Sequence, residues 1–236
     1  MTLHLGILQT DNVLPEFLDE HGDYPDMFHG LFQRVQDGLR FTNYDVQRGP
    51  PTEIECDAYV ITGSKRSVYD DLPWIGDLVG FVNEALRAQR KIVGVCFGHQ
   101  LMAHYFGGHV EQASVGWAVG VHSSRVTRTP RWMTGDVQQM ALLSSHKDQV
   151  VALPDNAELY LTNEVCPVAG FTVGDQVITV QGHPEFNKAY SYELMNKRRE
   201  VLGEETYRDG VASLTRDTTE TVMASWLLEF VRGGAR

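Results

Sequence analysis

The sequence predicts an α/β protein built on an open, doubly wound, mostly parallel sheet with added antiparallel strands. Three observations carry this: short apolar runs followed by polar or glycine-containing sequence, an apolar stripe at helical spacing between two of them, and a central stretch of short β-branched runs broken by turn residues. Hydrophobic residues make up 42% of the 236-residue chain, enough for a large core. Folds of this class and size form one domain, so residues 1–236 are expected to be a single unit.

The apolar runs are Leu3 to Leu8, Tyr59 to Ile61 and Ile92 to Val95, which read as buried parallel strands. Between the second and third, Ile75, Leu78, Val79, Val82 and Leu86 recur at helical spacing after the start signals Asp71 and Pro73. Strand, helix, strand is a βαβ unit. His99 to Phe106 carries Leu101, Met102, Tyr105 and Phe106 on neighbouring faces and stops at Gly107-Gly108, as a helix ended by glycine does.

From Val110 to Gln181 the runs Val119 to Val121, Leu159 to Leu161 and Val177 to Val180 are separated by Gly, Pro, Asn and Asp, and read as further strands, partly antiparallel. Val222, Met223, Trp226, Leu227, Phe230 and Val231 form the stripe of a last helix. Thr10 to Asp23 and Arg66 to Asp71 read as long polar loops. In such a sheet, ligands bind at the carboxyl ends of the strands.

Composition narrows the function. A formal net charge of -11 repels a phosphate backbone and an anionic membrane alike, which disfavours nucleic acid as a partner. No apolar stretch approaches the roughly 20 residues of a membrane span. Met1 to Gly6 lacks the basic and apolar segments of an export signal, so a cytoplasmic location is expected. The three cysteines, Cys56, Cys96 and Cys166, have neither C-x-x-C spacing nor disulfide-scaffold density and are expected as reduced thiols.

One of them sits where a thiol is reactive. Gly94-Val95-Cys96-Phe97-Gly98-His99-Gln100 joins an apolar strand to a helix and has the form of a nucleophile elbow with Cys in place of Ser. Glycines around the nucleophile leave space for a sharp strand-to-helix turn, and the start of the following helix favours a thiolate. The backbone N–H of Phe97 is then free to hold an oxyanion, and Thr62-Gly63-Ser64, after a neighbouring strand, is the candidate for a second donor. Taken alone, the pattern also fits Cys96 as a small buried hydrophobe at a glycine-rich turn.

The second motif is Gln181-Gly182-His183-Pro184-Glu185, directly after the run Val177 to Val180. A cysteine nucleophile needs a base that later delivers a proton to the leaving amine, and the base needs an orienting carboxylate. His183 and Glu185 supply both, because two-residue spacing in an extended segment projects their side chains to the same side. On its own His-Pro-Glu is a common turn; with the elbow it completes a Cys-His-Glu set.

Together, Gly63-Ser64, the heptad around Cys96, Ser145-His146-Lys147-Asp148 and His183-Pro184-Glu185 resemble, in order, the motifs of the class I, triad-type glutamine amidotransferases. The resemblance implies a flavodoxin-like sheet, with Cys96 as nucleophile, His183 as base and acid, and Glu185 as orienter. It also implies that Gln100 and Ser145, His146, Lys147 and Asp148 hold the glutamine-like end of a small-molecule substrate, with no metal or cofactor. The motifs look closest to stand-alone proteins similar to the glutaminase half of GMP synthase. This chain shows no Gly-rich phosphate loop with a following Lys-Ser/Thr, so a synthase subunit, where one is used, would be a separate partner.

Three readings follow. The first is a glutaminase or amidotransferase working through a γ-glutamyl thioester. The second is a γ-glutamyl peptidase with the same catalytic set and a substrate such as glutathione. The third is a silent binding module, which the intact Cys96, His183 and Glu185 disfavour. His99, His104 and His109 recur at a spacing that turns them to different helix faces and read as structural or solvent-facing, not as metal ligands. Cys56 and Cys166 read as packing residues, Lys65 and Arg66 as a solvated loop pair or an attractor for a substrate carboxylate, and Trp117, Tyr69 and Trp74 as core, rim or the wall of a pocket.

Overall fold

A computed structural model of the chain describes residues 2–233. The strands are β1 (His4–Gln9), β2 (Arg40–Asp45), β3 (Ala58–Ile61), β4 (Lys91–Val95), β5 (His109–Gln112), β6 (Ala118–Val126), β7 (Gln139–His146), β8 (Asp148–Ala152), β9 (Ala157–Thr162), β10 (Gly170–Val173) and β11 (Val177–Val180). Nine of them make one sheet in the order β2-β1-β3-β4-β11-β10-β9-β6-β7, while β5 and β8 pair apart from it. From β2 to β11 the neighbours run parallel. From β11 outward through β10, β9, β6 and β7 they run antiparallel, which are the added strands expected from the central stretch.

Strand periodicity divides the core. Leu5, Ile7, Val60, Val93, Val95, Ile178 and Val180 face one side of the sheet, and Leu8, Tyr59, Ile61, Ile92 and Val177 face the other. The first side is covered by α2 (Tyr24–Gln33) and α8 (Glu220–Arg232), through Phe28, Phe32, Trp226 and Phe230. The second is covered by α3 (Pro73–Arg87) and α4 (Phe97–Tyr105), through Ile75, Leu78, Val82 and Leu101. Helices on both faces of a largely parallel centre make the doubly wound arrangement. A capping box starts α2: Asp23 and Asp26 each accept from the other's backbone, satisfying N–H groups the helix leaves open.

The stretch Thr10 to Asp23 is not all loop. It contains α1 (Pro15–His21), which starts on a proline and has no buried residue, so no apolar stripe marks it in the sequence. Arg66 to Asp71 is irregular as expected. The Ser145 to Asp148 segment is less a turn than a junction: Ser145 and His146 finish β7, Lys147 bends, and Asp148 begins β8. After β11 come three helices the sequence did not mark, α5 (Lys188–Lys197), α6 (Arg199–Leu202) and α7 (Glu204–Ser213), and α5 brings residues over the carboxyl ends of the strands.

Candidate active site

β4 and β11 lie side by side with Val95 opposite Val180, and the N–H of Cys96 donates to the Val180 carbonyl at 2.9 Å. The chain therefore leaves both strands at the same edge, and the two motifs meet there. Cys96, between β4 and α4, has φ 51° and ψ -99°, a left-handed conformation that costs a non-glycine residue energy and must be held by its surroundings. What holds it is close backbone packing. A Cβ on Gly94 would lie 2.6 Å from the Gly98 carbonyl oxygen, and one on Gly98 would lie 2.6 Å from that of Ile61. No side chain fits at either position.

His183 is pinned by its own N–H, which donates to the Leu143 carbonyl at 2.7 Å. Its Nδ1 lies 2.8 Å from Oε1 of Glu185, and both side chains are buried. Because an ionised carboxylate only accepts, Nδ1 carries the proton in this contact and Nε2 is left for other chemistry. Burial alone would lower the imidazole pKa, but the charge of Glu185 and the Cys96 thiol outweigh it and hold the ring well above its ordinary value. Phe186 stacks on the imidazole at 3.9 Å and 11°, which locks the ring plane. Gly63 comes close to both groups: a Cβ there would meet His183 Cε1 at 2.8 Å and the Cys96 Cβ at 3.6 Å.

The Gly63-Ser64 loop is oriented by Thr10, whose Oγ1 donates to the Gly63 carbonyl oxygen at 2.8 Å and lies 3.2 Å from that of Thr62. In trans peptides the N–H points opposite to the carbonyl, so the N–H groups of Gly63 and Ser64 point away from Thr10. Both residues line the cavity that Cys96 opens into. The N–H of Phe97, first in α4, has no acceptor within the helix.

Two spaces meet at Cys96. The larger, about 370 Å³, is lined by Ser67, Gln100, Trp117, His146, Lys147 and Asp148. The smaller, about 60 Å³, is lined by Asn12, Tyr24, His183, Phe186, Tyr190 and Leu194. Cys96, Ser145 and Arg198 border both. All five residues expected to hold the substrate thus fall around the larger space.

Their hydrogen bonds refine the expectation. Gln100 Nε2 donates to the Asp148 carbonyl at 2.8 Å and to Gln181 Oε1 at 3.1 Å, so its amide braces the wall. His146, held neutral because burial pushes its pKa down to about 3, donates Nδ1–H to the same carbonyl at 3.1 Å. Asp148 is the hub: its Oδ2 accepts from Ser67 and, at 3.0 Å, from Tyr69, while its Oδ1 is buried with no partner among the described residues.

Lys65 is exposed, as a solvated loop lysine would be, and it is also paired. Its Nζ pairs with Asp11 at 3.0 Å and its N–H donates to the other oxygen of the same carboxylate, fixing the loop beside Gly63. Arg66 is exposed. Tyr69 reaches Asp148, and Trp74 packs against Phe97. Asn12, Tyr24, Phe186, Tyr190 and Arg198 were not foreseen. Phe186 follows the His-Pro-Glu motif and was within reach of a sequence reading; the others come from helices and loops with no local signature. Cys56 and Cys166 are buried packing thiols, and burial pushes the Cys166 pKa up to about 12. His99 is buried against Thr179, His104 packs on Tyr105, and His109 sits beside Glu111 on the surface, so these three do not converge.

An α/β sheet with a strained cysteine at a strand–helix junction and an imidazole–carboxylate pair after the adjacent strand is the ground plan of a thiol-centred α/β enzyme. The model of the glutamine amidotransferase class-I family matches residues 27–197, and the chain belongs to that family. Among its relatives is γ-glutamyl peptidase 3 of Arabidopsis thaliana, 30% identical over 92% of this chain and 84% of the relative. One subunit of the glutamine-hydrolysing GMP synthase of Halobacterium salinarum is 30% identical over 71% of this chain and 86% of the relative. The crystal structure of a glutamine amidotransferase from Thermotoga maritima superposes with a TM-score of 0.77 at 18% identity, covering 98% of this chain and 99% of that one, which shows the shared fold. The protein is an enzyme of the hydrolase and amidotransferase kind.

Proposed function

We propose that the protein is a γ-glutamyl hydrolase that acts on small γ-glutamyl compounds larger than glutamine, with Cys96, His183 and Glu185 as its catalytic residues. The Cys96 thiolate attacks the γ-carbonyl carbon, and the N–H groups of Phe97 and of Gly63 or Ser64 hold the oxyanion. His183 delivers a proton to the leaving nitrogen, the C–N bond breaks, and a γ-glutamyl thioester remains. Water, deprotonated by His183, then attacks the thioester and releases glutamate and the free thiol. These steps call for no metal or cofactor. The glutamyl part occupies the larger space, where the Asp148 carboxylate attracts its α-ammonium group.

The observation that carries this reading is the second space on the His183 side, about 60 Å³ in volume. One water takes about 10–15 Å³ of such a space. Departing ammonia needs little more, whereas a leaving group of several heavy atoms needs a space of this kind. The likeness to a γ-glutamyl peptidase over most of both chains points the same way and reverses the order of the first two readings. The glutaminase coupled to a separate synthase protein is the second reading, favoured by the likeness to the Halobacterium salinarum GMP synthase component. Among the described residues no helix is long and apolar enough to cross a membrane, and a cytoplasmic location is part of the proposal.

The test is kcat/KM for glutamine against a γ-glutamyl dipeptide. A dipeptide preference above about tenfold, roughly 1.4 kcal/mol of transition-state binding, is expected. A preference for glutamine overturns it in favour of the synthase-coupled reading.

A further inference from the structure

We infer that Arg198 selects the substrate by binding a carboxylate on its leaving group, which makes the substrates γ-glutamyl amino acids or peptides with a free carboxylate. This rests on the γ-glutamyl reading above and adds the leaving-group chemistry to it.

Arg198 is the C-cap of α5, where its N–H donates to the Leu194 and Met195 carbonyls at 3.1 and 3.2 Å and the chain turns into α6. A cation at that end is favoured by the helix dipole. The side chain is half-buried and reaches back over the strand ends. Its Nη1 donates to Ser145 Oγ at 2.8 Å, and the guanidinium lies 5.4 Å from the centre of the Trp117 ring. These contacts fix the plane of the group and use one of its five N–H donors.

Among the described residues no carboxylate pairs with Arg198. Lys65, the other cation bordering both spaces, is already committed to Asp11. Arg198 is therefore a fixed donor fork, beside Cys96, whose charge is unspent. It shares the smaller space with His183, Phe186 and Tyr190. That space is the leaving side, because His183 must reach the departing nitrogen. A planar fork of N–H donors fits a carboxylate and has no counterpart in ammonia or a neutral amine. With a formal net charge of -11, the protein needs a local cation to hold an anionic leaving group there.

The experiment measures kcat and KM for γ-glutamylglycine, γ-glutamylglycinamide and glutamine with the wild type, Arg198→Gln and Arg198→Lys. The wild type is expected to prefer the acid over its amide by about tenfold or more, a comparison that needs no variant. Arg198→Gln should lose about that factor on γ-glutamylglycine, chiefly in KM, and clearly less on the other two. Arg198→Lys should recover part of the loss. A wild type that treats acid and amide alike, or an Arg198→Gln protein slowed equally on all three, overturns the assignment. Turnover of glutamine with neither glycine compound accepted refutes the γ-glutamyl peptide reading beneath it.

Discussion

Oε1 of Glu185 lies 2.8 Å from Nδ1 of His183, in a carboxylate fully removed from solvent whose other oxygen has no partner among the described residues. The imidazole is therefore its main compensation, and the pair acts as one unit. Glu185→Gln keeps the shape but lets the ring settle in the other tautomer. The variant is predicted to lose about a hundredfold or more in kcat with little change in KM, and His183→Ala to lose more. A Glu185→Gln enzyme within about threefold of the wild type would remove Glu185 from the mechanism.

The same contact makes a pH prediction. Burial lowers the His183 pKa, but Glu185 and Cys96 outweigh it and raise the pKa from 6.5 to about 10. A raised folded-state pKa contributes stability that is fully present below the unfolded value and is lost as pH rises through the folded one. The gap in melting temperature between wild type and Glu185→Gln should thus narrow between pH 6.5 and 10. A gap that stays constant across that range would contradict the assignment.

Gly63 tests the geometry of the site, since alanine keeps its backbone N–H. Its backbone is not left-handed, so alanine adds one methyl, placed 2.8 Å from Cε1 of the stacked and buried His183 ring. Gly63→Ala is predicted to lower kcat by about tenfold or more through displacement of the imidazole, and to lower the melting temperature because the shifted ring loses its fit to Glu185. Unaltered kcat would show that the ring has room to move.

Much of this site was legible because its residues are local in sequence. Cys96 with its two glycines, and His183 with Glu185, each declare themselves within a few positions, and the βαβ unit joining them to β3 follows from Ile75, Leu78 and Val82. α2 was also within reach: Asp23 and Asp26 form a capping box before the stripe Met27, Phe28, Leu31 and Phe32. α1 and β2 were not, since α1 buries nothing and β2 is an edge strand with exposed and half-buried residues and no apolar run. Arg198 and Tyr24 reach the site only because α5 and α2 fold over the strand ends, a tertiary event that no short pattern records.

Asp148 offers a further check, because it lines the larger space with its Oδ2 held by Ser67 and Tyr69. Asp148→Asn is predicted to raise KM for γ-glutamyl substrates by about tenfold, through loss of the charge attraction to the α-ammonium group. With a substrate lacking the α-amino group, wild type and variant should be equal. A variant equally impaired on both would make Asp148 a wall residue only.

The central claim is that Cys96 is the nucleophile. All three cysteines are buried, yet Cys96 borders both spaces and sits in the strained elbow. The direct measurement is peptide mapping by mass spectrometry after treatment with a glutamine-mimicking chloroketone, followed alongside the loss of activity. One label per chain on Cys96, appearing at the rate of inactivation and blocked by a γ-glutamyl substrate, is the predicted result. Inactivation that tracks labelling of Cys56 or Cys166, with Cys96 unmodified, would contradict it.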